Sequence, residues 1–227
     1  MLGDGPSTHK TMSKLRFSIT TSLDGYVAGP NQSLENPLGV GGEQLHEWAI
    51  KLAAWRKAHD KSGGEANPSS AIVEEMFQNV GAVIMGRHMF GGGTGAWNTD
   101  WKGWWGDDPP YHMPVFVVTH HPREPLPMKG GTTFHFVTDG IQSALQKARR
   151  VAGDKDVLIG GGANVVQQYL AADLVDEINV SLVPIFLGRG ARLFDNAGGP
   201  EQRLEQVRVV QAPGVTHLRY GVVKSSA

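Results

Sequence analysis

Apolar positions along this 227-residue chain recur in two periods, and the two alternate. Short runs rich in β-branched and aromatic residues fall at 15–20, 82–85, 115–119, 133–137, 157–159, 177–182, 204–210 and 216–223, each too short for a helix. Helical spacing appears between them, at Leu45/Trp48/Leu52/Trp55, Ile72/Met76/Val80, Ile141/Leu145/Ala148 and Val165/Tyr169/Leu170. Such alternation predicts α/β layers around a mostly parallel sheet. The last two runs have no helical pattern between them, so a hairpin through Gln211-Ala212-Pro213-Gly214 is expected to add an antiparallel edge. No Pro/Ser-rich linker divides the chain, which predicts one domain over residues 13–225. Residues 1–12 are polar and glycine-bearing and read as a disordered tail, or as added residues before a true start at Met12.

Three predicted strands end in glycine or polar clusters. The run Asp156-Val157-Leu158-Ile159 stops at Gly160-Gly161-Gly162 and restarts as an amphipathic pattern at Ala163-Asn164-Val165. A strand end, a tight turn and a helix N-terminus in that order present unpaired N–H groups, and glycines remove the Cβ atoms that would hold a phosphate away. At Ile84-Met85-Gly86-Arg87-His88 a second run ends at a glycine, and Arg87 offers a planar fork to a phosphate. The third run ends at Thr119-His120-His121-Pro122. Nucleotides lie across the C-terminal ends of strands in sheets of this kind.

Composition narrows the function classes. With 21 basic and 22 acidic residues there is no electrostatic footprint for nucleic acid or a membrane surface, and a small-molecule substrate is the expected partner. The chain has no cysteine, which excludes disulfides, thiolate metal sites and a cysteine nucleophile, and no apolar run spans a bilayer; a cytoplasmic protein is expected. Nine histidines do not make a metal site at their spacings: His120 and His121 point apart on a strand end, and His46 and His59 lack a partner. Trp97, Trp101, Trp104 and Trp105 crowd an irregular segment, Gly91–Met113, and must bury against something: the segment's own surface or a dimer interface is the favoured reading, with a lid or pocket wall that stacks on a flat heterocycle as the alternative. Those tryptophans together with Val180, Leu182, Val183, Ile185, Phe186 and Leu187 exceed what one solvated edge should expose, which predicts a homodimer. Asp24 reads as a turn former, and Asp173, Asp176 and Glu177 as a solvated corner.

Ile84-Met85-Gly86-Arg87-His88 and Ile159-Gly160-Gly161-Gly162 resemble, in that order, the two cofactor-binding signatures of dihydrofolate reductase. Ser22-Leu23-Asp24-Gly25-Tyr26-Val27-Ala28-Gly29, Leu174-Val175-Asp176-Glu177-Ile178 and Pro184-Ile185-Phe186-Leu187-Gly188-Arg189-Gly190 are similar to segments of the reductase domain of bacterial riboflavin biosynthesis. The resemblance implies a dihydrofolate reductase-like fold of three αβα layers and an NADPH-dependent reductase. It further implies that Gly86 allows close backbone approach, that Arg87 and His88 meet phosphates, and that Thr119 and His120 flank the adenosine ribose. Gly160, Gly161, Gly162, Ala163 and Asn164 would hold the pyrophosphate at the helix start.

The substrate side transfers less well. Dihydrofolate reductase places a carboxylate at the start of its first helix to support protonation of a C=N bond; here the counterpart falls on Glu43 or Gln44, with Glu47 one helical turn on. A carboxyl held in an apolar pocket there would act as proton donor, while at a helix start the same glutamates stabilise the dipole without chemistry. The riboflavin-type reaction needs cations for a substrate phosphate, and Gly25-Tyr26-Val27-Ala28-Gly29-Pro30-Asn31-Gln32 has none. The expected activity is hydride transfer to a small heterocyclic C=N or C=O substrate. Nucleotide binding without hydride transfer, and a flavin or deazaflavin carrier, remain alternatives.

Overall fold

In the computed structural model, which describes residues 13–198 and 201–224, every β-type run of the pattern forms a strand. The elements follow in order as β1 (Leu15–Ser22), β2 (Tyr26–Ala28), α1 (Glu47–Ile50), α2 (Ala53–Ala58), α3 (Ser69–Glu75), β3 (Val80–Gly86), α4 (Arg87–Phe90), β4 (Pro114–Val118), β5 (Leu126–Pro127), β6 (Thr133–Val137), α5 (Gly140–Ala152), β7 (Asp156–Gly161), α6 (Ala163–Ala171), β8 (Glu177–Val183), β9 (Ala191–Arg192), β10 (Arg203–Ala212) and β11 (Val215–Val223). The tail expected at residues 1–12 lies outside the described residues. Among the described residues, no helix is long and apolar enough to cross a membrane.

The main sheet runs β10-β11-β8-β1-β7-β3-β4-β6-β5. From β8 to β6 every pairing is parallel, while β11 pairs antiparallel with β8 and β10, as the missing helical pattern between the last two runs predicted. Leu15, Phe17, Ile84 and Ile159 face α5 and α6; Val83, Met85, Val117 and Leu158 face the opposite layer. Both faces of the central strands are therefore covered, and these strands read as near-continuous apolar runs. The two-residue strands β2, β5 and β9 carry too little pattern to be seen in the sequence.

Two helical spacings are interrupted. Leu52 is extended (φ −74°, ψ 139°) and bridges Glu65, so α1 and α2 are separate pieces. Ile72 and Met76 do not continue to Val80: α3 ends at Glu75, Asn79 turns the chain at φ 56°, and Val80 opens β3 opposite Asp156. The 3.6-residue spacing there spans a turn and a strand by coincidence.

The dimer residues are largely used internally. Val180 and Val183 are buried, and Ile185 and Leu187 pack against Leu45 and Val215. Of that group Phe186 stays well exposed, and the other exposed large apolar side chains include Leu204, Val207 and Val209 on β10 and Val223 on β11.

The expected solvated corner is also corrected. Asp176 accepts the Leu15 N–H at 2.7 Å, and buried Glu177 pairs with Lys14 at 3.0 Å, because β1 and β8 begin their pairing at Arg16 and Glu177. Burial pushes the Glu177 carboxyl up, but the Lys14 and Asn179 hydrogen bonds outweigh it and hold it below the usual range. Under α3, Glu75 takes Arg208 and Arg219, each at 2.9 Å. Beside them His217 is 5% exposed, its Nε2 bonded to Ser69 Oγ and its Nδ1 to Ser181 Oγ, both at 2.8 Å.

Burial, with a smaller push from Arg208, lowers the His217 imidazole to about 4. The unfolded chain binds a proton near pH 6.5 that the folded site refuses, so stability should hold above that pH and fall as pH drops from 6.5 towards 4. The loss from this group should be on the order of 3 kcal/mol. Urea unfolding at pH 7.5, 6 and 5 measures it; His217→Asn should flatten the slope, and an unchanged slope would assign the loss to other groups.

Candidate active site

Because β1, β7, β3 and β4 are adjacent and parallel, their C-terminal ends share one rim. The structure thus brings together Gly160–Gly162, Gly86–His88 and Thr119–His120, which lie far apart in the chain. On β7 the register slips by one residue, since Ile84 pairs with Ile159 but Met85 with Gly161. Gly160 is the extra residue of this bulge. Gly161 then turns at φ 118°, the Gly161–Gly162 peptide is cis, and α6 begins at Ala163. A Cβ on Gly162 would meet nothing within 4 Å, so there is open space on the Cα side of this residue at the start of a nine-residue helix. Asn164 is exposed beside it, its Oδ1 accepting from Gln168 Nε2 at 2.7 Å.

Gly86 has a packing role. A Cβ there would stand 2.9 Å from Val165 Cγ2, so the close approach it permits is to α6 itself. Arg87 follows in a helix of only four residues, whose dipole contributes little. Its Nε donates to the Gly93 carbonyl at 3.0 Å, and its guanidinium lies 3.8 Å above the Trp97 ring. Both terminal nitrogens are buried without a hydrogen-bond partner, and burial draws the guanidinium below its usual basicity. His88 is exposed. Thr119 is buried, its Oγ1 accepting from the His121 N–H at 3.2 Å, whereas His120 is exposed on the rim.

The tryptophan segment is pinned to its own surface. Trp97, Trp101 and Trp105 pack against the core that includes Phe90, Tyr111 and Phe134. Trp97 Nε1 donates to the His121 carbonyl at 2.8 Å and Trp101 Nε1 to the Phe90 carbonyl at 3.0 Å. Asp24 is the expected turn former: burial raises its carboxyl, but the Ser22 hydroxyl and the Gly188 and Leu187 N–H groups bind it and leave it below the usual range. These bonds tie the end of β1 to the Pro184–Gly190 segment.

On the substrate side, Glu43 lies in a 3-10 turn, Gly42–His46, and Glu47 opens α1. Both are exposed, and Glu47 faces Lys51 at 3.8 Å, so neither is enclosed by an apolar pocket. Sequence reasoning missed Trp48, whose buried Nε1 has no partner and whose ring meets His217 edge-on at 4.8 Å. It also missed Arg123, packed near Trp97 and Phe136. The strand alternation of Val215-Thr216-His217 was the one signal that could have marked His217 as inward-facing.

Fold and rim together define an α/β protein whose helix α6 starts beside two adjoining glycine junctions. The RibD C-terminal domain model matches residues 13–218, and the chain belongs to that family, which makes it an oxidoreductase. A crystal structure of a Shewanella sp. PV-4 protein assigned to riboflavin biosynthesis superposes with a TM-score of 0.58 at 20% identity, covering 93% of this chain and 99% of that one. Dihydrofolate reductase from Enterococcus faecalis, complexed with NADP(H), gives 0.52 at 13% identity over 93% and 97%. At these identities the likeness is one of fold. The uncharacterized protein YyaP of Bacillus subtilis is 36% identical over 59 residues, a match spanning 26% of this chain and 31% of that protein.

The two glycines of the turn should respond differently to a side chain. Gly161→Ala forces a Cβ into φ 118° and should cost about 1–3 kcal/mol. Gly162→Ala should stay within about 0.5 kcal/mol of the parent. Thermal unfolding of both variants checks this, and equal losses would show that Gly162 is also packed.

Proposed function

We propose that the protein is an NADPH-dependent reductase that delivers hydride to a small heterocyclic C=N or C=O substrate. The observation that carries this reading is the adjacency of the Gly86 and Gly160–Gly162 junctions beside the open start of α6. When bound, the reduced nicotinamide supplies the hydride. The amides around Gly162, Ala163 and Asn164 hold the pyrophosphate, the Gly160–Gly161 bulge shapes the approach to them, and Arg87 and His88 reach phosphate oxygens. Thr119 and His120 lie at the ribose end. Membership of the RibD C-terminal domain family and the NADP(H) complex of the Enterococcus relative support the cofactor.

NADPH should bind with micromolar affinity and NADH more weakly, because Arg87 and His120 offer contacts to a 2′-phosphate. Gly162→Val should abolish binding in a folded protein, and Arg87→Ala should narrow the preference. Equal affinity for the two nucleotides would remove Arg87 and His120 from the site. In the same hydride-transfer assay Glu43→Gln and Glu47→Gln should keep turnover, since both carboxylates stand in solvent. A fall of about two orders of magnitude in either would make that residue the proton donor.

The homodimer is proposed here on the exposed apolar side chains of β10 and β11 instead of the residues absorbed by the core. Light scattering at micromolar concentration should read twice the 24.5 kDa chain mass; monomer mass alone would end the idea.

A further inference from the structure

The flank of the sheet formed by β4 and β6 holds a groove of about 290 Å³, close to the lower end of the range for small-molecule sites. Its floor is aromatic: the rings of Phe116 and His135 lie 5.2 Å apart and nearly parallel, at 22°. Phe136 lines the groove beside them, and Arg123, Lys147 and Arg150 bring three cationic side chains. No carboxylate lines it. Lys147 Nζ reaches Asp139 at 3.1 Å and Arg123 donates to the Thr99 carbonyl at 3.0 Å. Among the described residues Arg150 has no ion-pair partner, and neither ring nitrogen of His135 has a hydrogen bond within the protein. Burial lowers the His135 imidazole, so it presents one donor and one acceptor at neutral pH.

The groove lies on the β4–β6 side of the sheet and meets the rim only at its upper end, where the Val137 carbonyl accepts the Thr119 N–H at 3.0 Å. α5 starts at the C-terminal rim of the sheet and runs back beneath it, so Lys147 and Arg150 sit about 10 and 15 Å along the helix from that rim. β5 pairs only with Thr133 and Phe134, which leaves His135 to Val137 outside that ladder. A planar half-buried platform with free polar atoms, walled by cations and free of acid, suits a ligand that is flat at one end and anionic at the other.

We propose that this groove binds a phosphate monoester of a planar heterocycle, at a site separate from the rim where the reductase cofactor is placed. The heterocycle stacks at His135 and uses its ring nitrogens, while the phosphate takes Arg150 and Lys147 from α5. Arg123 closes the opposite wall.

Calorimetric titration of the full chain with AMP and with FMN, in saturating NADPH, tests this. At least one of the two should bind with one equivalent while NADPH is present. Arg150→Gln and Lys147→Gln should each weaken it about tenfold, the effect of one lost charge-assisted contact. His135→Ala should weaken it as well, and adenosine or inorganic phosphate alone should bind far less well. Gly162→Val should leave this binding intact, so that failure of the cofactor reading does not mask the result. The proposal is overturned if neither ligand binds at millimolar concentration, or if Arg150→Gln and Lys147→Gln change nothing. Competition between the bound ligand and NADPH would also overturn it, by making the groove part of the cofactor site.

Discussion

A Cβ atom on Gly86 would stand 2.9 Å from Val165 Cγ2 and 3.8 Å from the Gly162 nitrogen, and the candidate site depends on the absence of that atom. Only a glycine lets the end of β3 close against the first turn of α6. With that contact made, the two glycine junctions become one surface, although more than seventy residues separate them in the chain. The bulge at Gly160 serves the same geometry. By adding one residue to β7 opposite Ile84 and Met85, it lets the strand end one step beyond its ladder, so the chain can turn at Gly161 and start α6 beside β3. A parallel sheet leaves the peptide groups at its strand ends unpaired, and here Gly162 and the first turn of α6 stand among those ends.

The rim is braced from the opposite layer by indoles. Gly91 and Gly92, both at φ 85°, have Trp104 and Trp101 atoms within 2.6 to 2.9 Å of where a Cβ would lie, so the glycines make room for the rings. Trp97 then donates to His121, one residue past His120, and lies under Arg87. The tryptophan segment therefore holds two pieces of the rim in place, the start of α4 and the turn after β4. A segment with that duty cannot swing as a lid without releasing both.

The strands and their chemistry-bearing ends were legible because a buried parallel strand leaves a short apolar run stopped by glycine or a hydroxyl, as at Met85-Gly86 and Ile159-Gly160. Helical spacing was less secure, since Val80 satisfied the period from Ile72 and Met76 while belonging to a strand across a turn. The corner at Asp176 and Glu177 looked solvated because carboxylates usually are, and pairing with β1 reversed that. The polar set of Ser69, Ser181 and His217 was invisible for a different reason. Its members come from a helix and two strands whose adjacency exists only after β8 and β11 have paired, and each alone is an ordinary residue for its element. Surplus apolar residues such as Val183 and Leu187 were counted as dimer contacts because sequence cannot show that Leu45 and Val215 are waiting for them.

Arg87 joins the brace to the rim, and the energies show what holds it there. Burying its terminal N–H groups without partners costs about 1–3 kcal/mol or more for a charged group. Stacking on Trp97 returns up to about 2 kcal/mol, and the Gly93 hydrogen bond adds about 1.5–3. The two favourable terms offset the burial cost, so the guanidinium stays folded onto the indole with its terminal nitrogens unsatisfied. Charge-assisted bonds to an anion are roughly twice as strong as neutral ones and would satisfy the nitrogens that the protein leaves bare.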